Sequence, residues 1–318
     1  MEFINPSVEI IENENIYKFL ETVGRVCYKS EDKITDTSYE TFIKNIISRK
    51  HYGILEHKNL VFKLELSDKR KKKQLVEYIN YLKSCKFLNI TDVNGRVIVS
   101  GNIRAIFERN VNDSVYREMI RNYDIFDLSE CNETMYTDIN ATMIDILSEY
   151  DISDLSGEEL DAHIYRTVKI VTDRGISHEL VRHRMFSFAQ ESTRYCNYSA
   201  GKFGSKLKFV KPSTFDSWSE DNKSLYVYAL SSLEQTYLSM TGGDDPLPAQ
   251  LSRSILPNSL KTEIIMTGNL KNWTHFIELR YDEITGKVHP DMKIISSLLD
   301  KLLTLSIKNE IVKKHTSE

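Results

Sequence analysis

Residues 182–195 read Arg-His-Arg-Met-Phe-Ser-Phe-Ala-Gln-Glu-Ser-Thr-Arg-Tyr, and no other segment of the chain is as informative. The guanidinium groups of Arg182, Arg184 and Arg194 lie here within thirteen residues, together with the imidazole of His183. Guanidinium forks bind phosphate and carboxylate oxygens two at a time, and an anionic ligand offsets the repulsion between neighbouring positive charges. The segment therefore predicts an anion-binding site.

The surroundings of this segment suggest that it is half buried. It follows an apolar run typical of a strand, Thr167–Val171, and its own apolar residues are Met185, Phe186, Phe188 and Ala189. A buried arginine needs a partner of opposite charge, which would be either a carboxylate of the protein or a ligand. The alternative is a solvated basic segment without a ligand.

The spacing Arg-His-Arg, two residues, Ser, four residues, Ser, one residue, Arg resembles the signature of flavin-dependent thymidylate synthases. The pattern sets six positions across thirteen residues, so a chance match in a chain of 318 residues is improbable. We refer to residues 182–195 below as the signature segment.

Three other parts of the chain agree with the resemblance. The early block spans 25–30 and 50–57, and it contains His51 followed by a Glu-His pair. Residues 253–263 resemble the family's Arg-x-x-Leu-Pro block. The late block, 269–280, resembles a segment with a flavin-contacting Asn and a final Arg, and it is followed by a His-Pro-x-Met variant at 289–293.

Three positions depart from the family pattern. Gly53 stands where the family usually has Ser or Thr, so a flavin contact there falls to the backbone or is lost. Lys271 and Lys293 replace arginines. Lysine keeps the charge but loses the planar, two-pronged geometry of a guanidinium.

The resemblance implies an α/β (α+β) fold in which a mixed or antiparallel sheet is flanked by helices. It also implies a homotetramer whose active sites are shared between subunits. We expect a single domain over 1–318, with an inserted helical and hairpin elaboration at about 67–163. Most relatives have only a few tens of residues between a strand like 61–66 and the strand that enters the signature segment.

The activity implied by the resemblance is methylation of dUMP to dTMP. Methylenetetrahydrofolate would be the carbon donor, and FAD, reduced by NADPH, would carry the hydride. Arg280 is the implied catalytic residue, because a guanidinium beside the pyrimidine stabilises negative charge there without a proton transfer.

The resemblance also assigns binding residues. For dUMP they are Glu179, Leu180, Val181, Arg182, Gln190, Glu191, Ser192, Thr193, Arg194, Arg253 and Arg280. For FAD they are His51, Gly53, Arg182, His183, Arg184, Gln190, Asn269, Lys271 and His275.

The composition of the chain argues against several classes of protein, including zinc proteins, disulfide-rich proteins and membrane proteins. The net charge of −4 argues against nucleic acid or an anionic membrane as a partner of the whole surface. The four cysteines, Cys27, Cys85, Cys131 and Cys196, form no CxxC pair, which predicts neither a zinc site nor disulfides and fits a reducing cytoplasm. No apolar run approaches the roughly 18 residues of a membrane span, and we expect a cytoplasmic enzyme without a metal.

Two other functions remain open. One is a non-catalytic protein that binds nucleotides or nucleic acid through the same arginines. The other is a flavoprotein of the same scaffold with altered chemistry, suggested by Gly53, Lys271 and Lys293. Bound flavin would exclude the first, and dUMP-dependent turnover would exclude the second.

Local patterns predict several elements. We expect a strand and then a helix over 7–30, a helix over 38–50 and a strand over 61–66. Asn94-Gly95 predicts a tight hairpin turn that pairs the segments 88–90 and 97–99, and the run 102–110 is helix-like.

Overall fold

A computed structural model describes residues 1–66, 72–93, 96–105, 142–147 and 151–316. The strands in these ranges are β1 (Glu2–Ile4), β2 (Ser7–Ile10), β3 (Asn59–Leu66), β4 (Leu88–Val93), β5 (Arg96–Asn102), β6 (Thr142–Ile146), β7 (Tyr165–Asp173), β8 (Ser187–Gln190), β9 (Lys208–Val210) and β10 (Lys261–Asn269). The α-helices are α1 (Ile16–Tyr28), α2 (Ser38–Ser48), α3 (Lys72–Lys83), α4 (Gly157–Asp161), α5 (Arg174–Leu180), α6 (Glu220–Gly242), α7 (Ala249–Ser252), α8 (Leu270–Arg280) and α9 (Pro290–Thr316).

The sheet that carries the signature segment has the strand order β2-β7-β10-β8, and every pair in it is antiparallel. Successive side chains of a strand point to opposite faces, so β10 contributes to two cores. Ile264 and Met266 pack with Trp273 of α8 and with α9. Ile265 packs on the other face, in the cluster that contains Leu20 of α1. Helices therefore cover both faces of this sheet.

A second sheet has the order β4-β5-β3-β6 and is antiparallel throughout. The expected pairing of the segments around 88–90 and 97–99 is confirmed, whereas the Asn94-Gly95 turn lies outside the described residues. β4, β5 and β6 all come from the span 67–163. The interpretation of that span as an insertion into a single domain stays a prediction.

Most of the other predicted helices and strands are present in the structure. The strand and helix over 7–30, the helix over 38–50 and the strands at 61–66 and 167–171 are confirmed as β2, α1, α2, β3 and β7. Of the helix-like run 102–110, residues 106–110 lie outside the described residues. The expected fold class, α/β with mixed or antiparallel sheets flanked by helices, is confirmed, and β1 and β9 form a parallel pair.

Candidate functional site

The first half of the signature segment forms an exposed turn between α5 and the edge strand β8. Asp173 caps α5, its Oδ1 accepting from the backbone N–H of Ile176 at 2.8 Å, and the chain turns after Leu180. Of the apolar residues in the turn, Phe186 packs inward beside Trp273, while Met185 is 67% exposed.

The signature segment is half buried as expected, since Phe186, Ala189, Glu191 and Thr193 are buried. The expectation that its arginines are buried is wrong, because Arg182, Arg184 and Arg194 are all exposed. A single inward aromatic ring, that of Phe186, is enough to anchor the turn, so the charged side chains stay in water. Within the described ranges, none of the three arginines has a salt bridge to a carboxylate. Exposed guanidinium groups of this kind are available for phosphate or carboxylate oxygens of a ligand.

Arg280, the last residue of α8, meets the signature segment. Its Nε donates to Nε2 of His183 at 3.0 Å, and its Nη1 lies 3.4 Å from Oε2 of Glu179. Burial and the positive charge of Arg280 lower the pKa of His183 to about 4. Because Nε2 accepts a hydrogen bond, the neutral ring carries its proton on Nδ1. The contacts orient the guanidinium and leave some of its N–H groups unused.

Gln190, at the end of β8, links two elements behind the turn. Its side-chain nitrogen donates to Oγ of Ser177 in α5 at 2.9 Å and to Oγ1 of Thr262 in β10 at 3.1 Å. The amide group predicted to bind dUMP and FAD is therefore also a brace between α5 and the sheet.

A second turn, residues 191–196, contacts the early block. The backbone N–H of Ser192 donates to the carbonyl of Cys27 at 3.0 Å. The N–H groups of Tyr195 and Cys196 donate to the carbonyl of Ser192, and that of Arg194 donates to the Ser192 hydroxyl at 3.3 Å. We call residues 191–196 the substrate turn.

Aromatic contacts extend this junction to His51. The rings of Tyr28 and Tyr195 lie 5.1 Å apart, and the Tyr28 hydroxyl lies 3.5 Å from Nδ1 of His51. The structure thus brings the early block and the signature segment together. Gly53 is exposed, and a Cβ added there would meet nothing within 4 Å, so a serine or threonine side chain would fit at this position.

The predicted flavin residues of the late block lie along the first part of α8. Asn269 is buried and caps the helix, with Oδ1 accepting from Asn272 N–H at 2.9 Å and Nδ2 donating to the carbonyl of Ala162 at 3.0 Å. Lys271 pairs with Glu158 at 2.8 Å on the exposed surface. His275 is also exposed.

The other predicted residues differ in accessibility. Leu180 and Thr193 are buried, whereas Val181 and Arg253 are exposed. Arg253 begins a short 3-10 helix after α7. In the part of the chain that the structure describes, no hydrogen bond or ion pair joins the Arg253 side chain to another predicted site residue.

Sequence reasoning named Glu191 but missed the charged residues with which its side chain pairs behind the substrate turn. Lys29, Glu191, Lys261 and Glu263 form a chain of ion pairs. A signal was available in β10, where Lys261 and Glu263 interrupt the beginning of an otherwise apolar strand. The partners of Lys261 and Glu263 could not be predicted from the sequence, because Lys29 and Glu191 come from distant segments.

The described ranges contain neither a metal-binding cluster nor a membrane-spanning helix. They contain no group of three or more His, Cys, Asp or Glu side chains arranged to hold a metal ion. None of the helices within them combines the length and the hydropathy needed to cross a bilayer.

Comparison with known sequences gives matches in the second half of the chain. The family model described as "Thymidylate synthase complementing protein" matches residues 158–287. A flavin-dependent thymidylate synthase of Mycobacterium sp. (strain KMS) is 31% identical over 135 residues, which are 38% of this chain and 50% of the relative. One from Geobacter sulfurreducens is 34% identical over 107 residues, 34% of this chain and 43% of the relative. The chain spans about half the length of the curated relatives it matches.

Solved structures align with the chain at lower identity. The UMP/dUMP methylase PolB from Streptomyces cacaoi, bound with 5-Br dUMP, aligns over 95% of this chain and 91% of its own, at 13% identity and a TM-score of 0.40. Thymidylate Synthase X from Helicobacter pylori, with FAD and dUMP, aligns over 48% of this chain and 76% of its own, at 19% identity and a TM-score of 0.35.

Proposed function

We propose that the chain is a flavin-dependent thymidylate synthase that methylates dUMP to dTMP, because the family model matches residues 158–287 and the relatives named above are 31% and 34% identical to it. The carbon donor is methylenetetrahydrofolate, and the reductant is NADPH, acting through FAD. The relatives named above are called flavin-dependent thymidylate synthases, which supports a flavin cofactor.

The observation that carries the proposal is the position of Arg280. Its guanidinium contacts Glu179 in α5 and His183 in the turn after α5. Both residues lie about a hundred positions before Arg280 in the sequence. Negative charge on the pyrimidine makes C5 nucleophilic, and a preorganised guanidinium stabilises that charge. We assign this role to Arg280.

The substrate turn is the proposed site of the dUMP phosphate. Arg194 is exposed, and the Ser192 hydroxyl accepts only a long bond, 3.3 Å, from the backbone of Arg194. Both groups are therefore able to donate to phosphate oxygens. Arg182 and Arg253, both exposed, complete the proposed cationic set.

The residues present fit FAD in charge. Arg182 and Arg184 are exposed cations that flank His183 in the sequence, and Lys271 is an exposed cation at the start of α8, where it pairs with Glu158. Together with the neutral ring of His183, these cations are a donor set suited to phosphate oxygens and a polar ring edge. FAD, when bound and reduced, supplies the electrons that convert the transferred one-carbon unit to a methyl group. Neither Cys27 nor Cys196, the cysteines in or beside the matching blocks, is assigned as a nucleophile, because burial raises the pKa of Cys27 to about 11 and that of Cys196 to about 12.

The test of the proposal uses the purified full-length protein. A flavin absorption band in the visible spectrum and formation of dTMP that requires dUMP, methylenetetrahydrofolate and NADPH together are the expected results. A colourless protein that does not take up added FAD contradicts the proposal. A flavoprotein without dUMP-dependent turnover supports the alternative of altered chemistry on this scaffold.

A further inference from the structure

Glu191 is itself one of the predicted dUMP residues, but its side chain points into the protein. It is 2% exposed. One carboxylate oxygen accepts from the Tyr198 hydroxyl at 2.9 Å. The other accepts from Nζ of Lys261 at 2.9 Å and from the backbone N–H of Glu263 at 3.2 Å. The carboxylate is thus fully engaged inside the chain.

The partners of Glu191 continue into an alternating series of charges. Lys261 also contacts Glu263 at 2.5 Å, and Glu263 lies 3.0 Å from Lys29. Burial alone would raise the pKa of Glu263, but the ammonium groups of Lys261 and Lys29 outweigh it and lower the pKa to about 2. Glu263 is therefore charged at neutral pH. Two carboxylates and two ammonium groups compensate each other in a partly desolvated position.

This series, Lys29–Glu263–Lys261–Glu191, joins three segments of the chain at the substrate turn. Lys29 ends α1 in the left-handed region, with a φ of 47°, which non-glycine residues rarely adopt. Its own backbone carbonyl accepts from Lys202 at 2.8 Å. Two residues earlier, Cys27 accepts the N–H of Ser192. The side chain of Glu191 therefore fixes the first residue of the substrate turn. The end of α1 fixes the second, Ser192.

We propose that Glu191 is a positioning residue for nucleotide binding, acting through its buried carboxylate and Lys261. The inference rests on the proposed function, because it takes Ser192 and Arg194 as the groups that bind dUMP. Misplacing a binding group by about 1 Å is enough to lower its effect strongly. Glu191 itself needs no contact between its side chain and the nucleotide.

The first experiment separates nucleotide affinity from chemistry. Glu191→Gln keeps the volume of the side chain but removes its charge, so we expect the KM for dUMP to rise about ten-fold or more while kcat changes less and bound flavin stays the same. Lys261→Met should have a similar effect, and Lys261→Arg should restore most of the affinity. In the double variant Glu191→Gln/Lys261→Met, the two effects should be less than additive.

A matched control comes from the same series. Glu31 is half-buried and pairs with Lys29 at 2.6 Å, and within the described ranges it makes no hydrogen bond or ion pair to the substrate turn. Glu31→Gln should leave the KM for dUMP unchanged. If Glu191→Gln lowers the folding yield, Tyr198→Phe removes a single contact of the same carboxylate and should raise the KM by a smaller factor.

A second measurement is independent of turnover. Amide hydrogen exchange of peptides covering 191–198, without substrate, should be faster in Glu191→Gln than in the parent protein and unchanged in Glu31→Gln. An unchanged KM in a folded Glu191→Gln protein, or unchanged exchange of this segment, would overturn the positioning role. Absence of dUMP turnover in the parent protein would refute the proposed function instead, and with it the nucleotide part of this inference.

Discussion

Arg280 receives its orientation from a neutral histidine, which is an uncommon partner for a guanidinium. His183 can accept from Arg280 only while it is unprotonated, and the low pKa caused by burial and by Arg280 itself preserves that state at neutral pH. Glu179 adds a carboxylate at 3.4 Å. The charge of Arg280 is therefore only partly neutralised within the protein and remains available to a ligand.

The first prediction concerns this guanidinium. Arg280→Ala should lower the rate of dTMP formation about 10²–10³-fold, because it removes the group that stabilises charge on the pyrimidine. Bound flavin, measured by absorbance, should be retained. Arg280→Lys should recover only part of the rate, since it keeps the charge without the fork. Arg96→Ala, which removes an arginine paired with Asp154 on the exposed surface, is the control. Nearly full turnover in Arg280→Ala would remove Arg280 from the mechanism.

The second prediction concerns Ser192. Its hydroxyl accepts a bond from the Arg194 backbone, and among the described residues no histidine or carboxylate contacts it as a base. We expect Ser192→Ala to raise the dUMP concentration needed for half-maximal rate and to leave measurable turnover. Complete inactivity in a variant that still binds dUMP and FAD would identify Ser192 as a nucleophile instead.

At the scale of elements, the turn with Arg182, His183 and Arg184 depends on the strand behind it. The ring of Phe186 lies against Gly268 of β10, where a Cβ would come within 2.5 Å of the ring atoms. The ring cannot easily move away, because Trp273 packs against it at 4.7 Å between centroids. The absence of a side chain at Gly268 therefore makes room for the anchor of the turn.

The third prediction follows from this close approach. Gly268→Ala should lower the free energy of unfolding by about 1–3 kcal/mol, the usual cost of overpacking a core. It should also weaken binding of flavin, because the displaced ring carries the turn with it. Gly53→Ala is the control, since its Cβ would meet nothing, and its stability should not change. Denaturant unfolding of both variants measures the difference, and equal stabilities would contradict the packing argument.

At the scale of the whole molecule, the fold buries imidazole rings in their neutral form. His57 contacts Thr267 at 2.8 Å beneath the central sheet, and His163 lies between Ser100 and Thr91 at 2.8 Å each. Burial lowers the pKa of both rings from 6.5 to about 4. His183 adds a third ring with a pKa of about 4.

The fourth prediction is a loss of stability in mild acid. Below pH 6.5 the side chains of His57 and His163 take up protons in the unfolded chain. In the folded protein the same two side chains bind protons only at about pH 4. Stability is thus fully present above pH 6.5 and falls as the pH decreases towards 4, by a few kcal/mol in all. The Tm should decrease between about pH 7 and about pH 5, and His57→Gln should flatten this dependence. Replacement of the exposed His178 by Gln should not, and equal slopes for both variants would refute the explanation.

The sequence by itself determined the elements whose signals are local. The apolar periodicity of α1 and α2 and the apolar run of β7 lie within single segments, and so does the cluster of arginines that indicates an anionic ligand. The resemblance to a family likewise rests on spacings within short blocks. Such patterns remain visible in a linear chain because they depend on neighbours a few residues away.

Only the tertiary structure decided which side chains meet and which are exposed. It placed Arg280 on His183, 97 residues earlier, and Lys261 on Glu191, 70 residues earlier. It also showed that the signature arginines are exposed, against the expectation from their apolar neighbours. Burial and charge pairing are properties of groups brought together by the fold, so no window of sequence contains them.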